Sequence, residues 1–141
     1  MKIKSCIFLF VLLAFCNLPI AQEDSITVIP DFRTVIPGKT VIGIASFYSK
    51  SLQGTKTATG EIYKHELMTA ASNNFKLNTW VRVTRIKTGV SVIVRINDRM
   101  HPSMKRKGRV VDLSRAAAAK LGFIANGLTR VRVEIVEKQV Q

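Results

Sequence analysis

"WVRVTRIKTGVSVIVRIND", residues 80–98, decides the fold. Its first arm alternates, with Val81 and Val83 on one face and Arg82 and Thr84 on the other. A period of two marks a half-buried strand. Lys87-Thr88-Gly89 then reads as a turn, and Val90 to Asn97 returns as an apolar, β-branched strand. The two arms make a hairpin. At the lip of the second arm stands one carboxylate, Asp98. The eleven residues that follow, 99–109, carry five basic side chains: Arg99, Lys105, Arg106, Lys107 and Arg109.

Further elements appear on either side of the hairpin. "TVIGIASFY" (40–48) reads as a first strand, and "SKSLQGTKTATGE" (49–61), with Gly54, Gly60 and many hydroxyls, as a loop. "LMTAAS" (67–72) reads as a short extended segment and "GRVVDLS" (108–114) as a short strand. Ser114 is placed to cap a helix over "RAAAAKL", with Lys120 in its last turn and Gly122 as the stop. "LTRVRVEIVE" (128–137) is a final strand, with Val131, Val133 and Ile135 facing inward. The sum is a mostly β chain of about six strands with one or two short helices. At this length that pattern favours a small closed barrel.

The N-terminal region has a different character. Lys2 and Lys4 precede an unbroken apolar run of nine residues, Ile7 to Phe15, and Ala21 suits the position before a cut. Residues 1–22 therefore read as an export signal peptide, too short to span a bilayer. Phe15 before Cys16 speaks against lipidation. Residues 23–39, with Pro30 and Pro37, read as a leader or linker, and 40–138 as the barrel domain. The expected address is the periplasm or cell envelope, with no transmembrane segment in the mature chain, which is expected to be a monomer. Both cysteines, Cys6 and Cys16, fall in the signal, so the domain must be held by its core alone.

The formal net charge is +13; without Lys2 and Lys4 the mature chain keeps 20 basic and 9 acidic residues, or +11. For an exported protein this points to anionic envelope polymers and not to nucleic acid. His65 and His101 are too few and too isolated for a metal site, and no cofactor motif is present. Ser72 lacks a histidine in a nucleophile arrangement, which argues against a serine hydrolase.

Three blocks, "GIASFYSKSLQGTKTATGEIYKHELMTAAS", "WVRVTRIKTGVSVIVRINDR" and "GRVVDLSRAAAAKLGF", together resemble the rare lipoprotein A (RlpA) family across residues 43–136. The resemblance implies a double-psi β-barrel, related to the barrels of expansins. It also implies a lytic transglycosylase that cuts peptidoglycan glycan strands poor in stem peptides and leaves 1,6-anhydromuramyl ends. Carried onto this chain, it makes Asp98 the acid/base and Glu61 of "TATGEIY" the assisting carboxylate. The chemistry fits: glycosidic cleavage needs a proton at the leaving oxygen, and a second carboxylate can stabilise positive charge on the ring. Asn97, Arg99, Tyr48, Ser72 and His101 are the expected substrate-binding residues. Asp112, before the helix, is expected to be structural, ordering the loop at the helix start.

Two departures stand beside this site. Ser72 occupies the place of a family histidine after "TAA", and Met100-His101 replaces the glycine and its neighbour after "NDR". They keep a second reading open, a non-catalytic polysaccharide-binding barrel similar to expansins. A third is a secreted interaction protein that uses the barrel as a scaffold and needs neither carboxylate.

Overall fold

The computed structural model describes residues 35–137. The expected signal peptide, and the leader as far as residue 34, lie outside the described residues. Six strands run through the domain: β1 (Val35–Phe47), β2 (Thr69–Ala71), β3 (Trp80–Arg85), β4 (Ser91–Asp98), β5 (Arg109–Leu113) and β6 (Thr129–Val136). Two helices, α1 (Ser103–Arg106) and α2 (Arg115–Leu121), flank β5. No helix among the described residues is long and apolar enough to cross a membrane.

The strands close into a barrel in the order β1-β5-β2-β4-β3-β6. Two pairs, β1/β5 and β2/β4, are parallel and the other four contacts are antiparallel. Only the β3–β4 hairpin joins strands that are neighbours both in sequence and in space. This interleaved order is the double-psi arrangement.

The alternation read from the sequence fills the barrel. Val81, Val83, Val94, Ile96, Val111, Leu113, Val131 and Val133 are all buried in one core with Ala70 and Ala45. Each valine, leucine and isoleucine among them contributes roughly 1.5–3 kcal/mol by leaving water. Gly43 in β1 is required by its neighbour: a Cβ there would lie 2.3 Å from Val110 Cγ1.

α2 seats its apolar face, Ala117, Ala118 and Leu121, in the same core. Ser114 caps it as expected, its Oγ accepting the Ala117 N–H at 3.3 Å, and Gly122 ends it in the left-handed region at φ 75°. The last carbonyls find an unforeseen partner. Arg85, only 8% exposed, donates from Nη1 to the carbonyls of Leu121 and Gly122. A cation at a helix C-terminus satisfies orphan carbonyls and meets the negative end of the dipole.

Two elements differ from the sequence reading. β1 begins at Val35, five residues before the expected Thr40. Val35 pairs with Val136, but the register shifts before Thr40, across Pro37 and Gly38. Proline cannot donate to a ladder, so it sits where pairing is interrupted. Within the basic stretch 99–109, residues 103–106, to which the sequence reading assigns no element, fold into α1, and Gly108 at φ 71° turns the chain into β5.

Candidate active site

The site lies on the outer face of the strands whose alternate residues build the core. Along β1, β5 and β2, Ala45, Val111, Leu113 and Ala70 turn inward. The residues between them form one row across the sheet: Ser46 on β1 pairs with Asp112 on β5, Asp112 with Ala71 on β2, and Ala71 with Asp98 on β4. A second apolar cluster, Tyr48, Tyr63, Ala71 and Met100, covers this row.

Asp98 is held by three donors. Oδ2 accepts from Tyr48 Oη at 2.7 Å, and Oδ1 from the backbone N–H groups of Ala58 and Arg99, each at 2.8 Å. Ala58 is supplied by a tongue, residues 55–63, that folds back on itself: Tyr63 N–H donates to the Thr55 carbonyl, and Lys56 bridges to Ile62. Thr59 N–H fastens the tip of the tongue to the Asn97 carbonyl at 3.2 Å.

Glu61 leaves the same tongue. Arg95 on β4 grips it with both arms, Nη2 to Oε1 at 2.6 Å and Nη1 to Oε2 at 3.0 Å, and Thr59 Oγ1 donates to Oε2 at 2.7 Å. The Arg95 bonds first, then the Thr59 bond, hold the carboxyl down at about 2. Glu61 is therefore an anion at any ordinary pH. It can face positive charge, but it has no proton to give. The two expected catalytic carboxylates are thus brought to one tongue, where Ala58 holds Asp98 and Thr59 holds Glu61.

Asp112 behaves in the opposite way. Burial pushes its carboxyl up, and the charge of Asp98 adds to the rise; Ser46 and Arg109 offset part of it. Ser46 Oγ is near enough to act but makes no hydrogen bond, and Asp112 Oδ1 is buried without a partner. Tyr48 is pushed well above the ordinary range of a phenol, by burial first and then by its bond to Asp98, so it remains a donor. Its ring packs against Tyr63 at 4.1 Å between centroids. Tyr63 in turn meets His65: the Tyr63 hydroxyl lies 3.0 Å from Nδ1, and Nε2 donates to the Lys50 carbonyl, which can only accept.

Most of the expected substrate-binding residues are engaged in contacts within the protein. Ser72 is fully buried; its Oγ donates to the Val110 carbonyl at 2.7 Å and accepts from Asn74 N–H. A hydroxyl enclosed and bonded on both sides is not offered to a substrate. Asn97 is 2% exposed, and its Oδ1 is buried without a partner. Arg99 reaches from its Nη1 to the carbonyls of Ser72 and Phe75, tying down the segment after β2. Tyr48 is 7% exposed and uses its hydroxyl on Asp98, so it positions the carboxylate and offers no open face for sugar stacking. His101 is exposed but bonds within its own turn: Nδ1 accepts from Ser103 N–H.

Sequence reasoning missed Arg95, whose outward place on β4 was legible but whose partner 34 residues away was not. It also missed Arg115, which donates from Nη1 to the Tyr48 carbonyl and lies over the Phe47 ring.

Comparison with known proteins agrees with this architecture. A family model described as lytic transglycolase matches residues 40–133. The endolytic peptidoglycan transglycosylase RlpA of Pasteurella multocida is 52% identical over 95 residues, which cover 67% of this chain and 31% of that protein. The Pseudomonas aeruginosa protein of the same name is 45% identical over 97 residues, 69% of this chain and 28% of its own length. This chain thus spans about a third or less of those relatives. Among solved structures, apo Clavibacter michiganensis expansin superposes with a TM-score of 0.56 at 25% identity, covering 73% of this chain and 53% of that one. The Streptomyces papain inhibitor superposes with the same TM-score at 21% identity, over 74% of this chain and all of the inhibitor, a likeness of fold alone. With the match running from the first strand to the last and the carboxylates gathered on one face, the chain belongs to the lytic transglycolase family.

Proposed function

We propose that this barrel is the catalytic domain of an exported endolytic peptidoglycan transglycosylase, acting on glycan strands poor in stem peptides. The observation that carries the reading is the division of labour between two carboxylates on one tongue: Asp98 is fixed by three donors, and Glu61 is locked as an anion by Arg95.

The reaction joins the C6 hydroxyl oxygen of muramic acid to its own C1 as the bond from C1 to the next sugar breaks. No water enters. Asp98 takes part in the proton transfer, worth roughly 10²–10⁴ in rate. Glu61 faces the positive charge that builds on the ring and, being bonded at both oxygens, need not reorganise as it does so. Tyr48, Tyr63 and Met100 form an apolar cluster with Ala71 of the row and lower its polarity. The net charge of +11 left without Lys2 and Lys4, 20 basic against 9 acidic residues, suits an anionic wall polymer as partner. The start of the chain supports export to the periplasm or envelope, and the domain works as a monomer without a cofactor.

The test is mass spectrometry of peptide-free and peptide-bearing strands after incubation with the wild type and with Asp98→Asn. Anhydro-ended fragments from the wild type alone support the reading. Binding without new ends from either protein replaces it with a non-catalytic polysaccharide-binding barrel, a role favoured by the closed, buried Ser72 at the place where the family resemblance implies a histidine.

A further inference from the structure

We propose that Asp112 is a second proton-transfer residue of this site: it delivers the proton to the departing sugar oxygen, while Asp98 accepts the proton of the attacking hydroxyl. This inference rests on the transglycosylase reading and deepens it.

The atoms set the requirement. The O6–H and C1–O4 bonds break; the C1–O6 and O4–H bonds form. One proton leaves and one arrives, with no water and no change of oxidation state. Such a step is served best by one carboxyl that holds a proton and one carboxylate that does not. Glu61 is excluded from the first role by its two-armed bond to Arg95. Asp98 has only donors around it, the Tyr48 hydroxyl and two backbone N–H groups, which is the environment of an acceptor.

Asp112 has the complementary setting. It stands in the same row as Asp98, with only Ala71 between them. Two strand spacings put their Cα atoms roughly 10 Å apart, and both side chains rise from one face. Ala71 between them is 1% exposed and packs with Tyr48, Tyr63 and Met100. Asp112 Oδ1 is buried with no hydrogen-bond partner. An ionised oxygen there would be desolvated and uncompensated, whereas a protonated carboxyl loses less. The charged and titratable groups around it are Asp98 across β2, Arg109 on its own strand, and Tyr48 and Tyr63 above. Burial and Asp98 raise it, and only Arg109 and the unbonded Ser46 oppose them. After turnover, Asp98 holds the proton and Asp112 lacks it; Asp98 loses its proton to solvent and Asp112 regains one from solvent, which resets the pair.

Two substrates separate the roles. On peptide-free strands Asp112→Asn is expected to turn over about 10²–10⁴ more slowly, with KM nearly unchanged and the alkaline limb of the pH–rate profile gone. On a muramyl glycoside whose aryl leaving group departs without a proton, the same variant keeps a rate within about tenfold of the wild type, the loss being confined to proton donation. Asp98→Asn fails on both. Carboxyl NMR titration of the wild type adds a readout that needs no substrate: Asp112 keeps its proton above the ordinary aspartate range, and Asp98→Asn brings it down. An Asp112→Asn protein, folded by NMR, that works at the wild-type rate on strands overturns the inference. So does one equally impaired on both substrates. A wild type that releases no anhydro ends overturns the transglycosylase reading itself, and this inference falls with it.

Discussion

Glu61→Gln tests whether the Arg95 clamp acts through charge. The substitution keeps shape and most hydrogen bonding but removes the negative charge that Arg95 holds from 2.6 Å. The carboxyl moves from 4.5 to about 2, which at about 1.36 kcal/mol per unit gives a ceiling of roughly 3 kcal/mol. That ceiling must be lowered, because the Glu61 side chain is 44% exposed and Arg95 23%, and water screens such pairs to about 0.2–1 kcal/mol. The two-armed geometry and the Thr59 bond favour the upper end, about 1 kcal/mol. In a domain of this size that is a fall in Tm of about 4–8 °C.

The sign with pH follows from the depressed value. Glu61 binds its proton more weakly folded than unfolded, so its contribution is present above about pH 4.3 and fades as pH falls toward about 2. Calorimetry of the wild type and Glu61→Gln from pH 7 to pH 2 should show two curves that converge at the acid end. Raising the salt to 1 M should narrow the gap at pH 7. A double-mutant cycle with Arg95→Gln should return a coupling near 1 kcal/mol. A gap constant from pH 7 to pH 2 would mean that Glu61 acts by packing or neutral hydrogen bonding, and the picture of a locked anion would be lost.

Three further outcomes follow from the same contacts. Tyr48→Phe removes one donor from Asp98 and leaves the ring on Tyr63; a bond to a charged group is worth about 1.5–3 kcal/mol, so kcat should fall about 10- to 100-fold with KM little changed, measured on peptide-free strands. Ser114→Ala removes the cap of α2 and should cost about 1 kcal/mol, read as a lower urea midpoint at constant slope, with Thr at this position restoring most of it. Gly43→Ala places a Cβ 2.3 Å from Val110 Cγ1 and 3.0 Å from the Gly108 carbonyl; overpacking of this kind costs about 1–3 kcal/mol, and adding Val110→Ala should recover part of the loss in urea unfolding.

What the sequence disclosed, and what it withheld, follows the range of the forces involved. The β3–β4 hairpin and the capped helix α2 were legible because each is built from contacts within a few residues: alternation and a three-residue turn in one case, Ser114 and Gly122 in the other. Arg85 shows the first limit. Alternation from Val81 and Val83 puts position 85 on the inward face, yet an arginine there reads as solvent-bound until the carbonyls of Leu121 and Gly122 supply its partners. The start of β1 shows a second, since Pro37 is compatible with a strand only where the ladder to β6 is broken, and that break is a property of the barrel.

The site shows the deepest limit. Asp98 could be chosen from its position at the end of a strand and from the family resemblance, and Glu61 from the resemblance alone. Their different states could not be foreseen, because Arg95 and the tongue N–H groups reach them across gaps of 34 and 40 residues. Asp112 looked structural because it precedes a capped helix. Its place in the row depends on a three-residue strand, β2, inserting between β4 and β5. Asp98 and Asp112 are close in the chain, but the crossover, not that closeness, puts them on one face with only a methyl group between. The topology that makes the barrel hard to read is therefore the same feature that sets the donor-ringed carboxylate of Asp98 in one row with Asp112 and its unpartnered buried oxygen, the pairing that the proposed proton transfer needs.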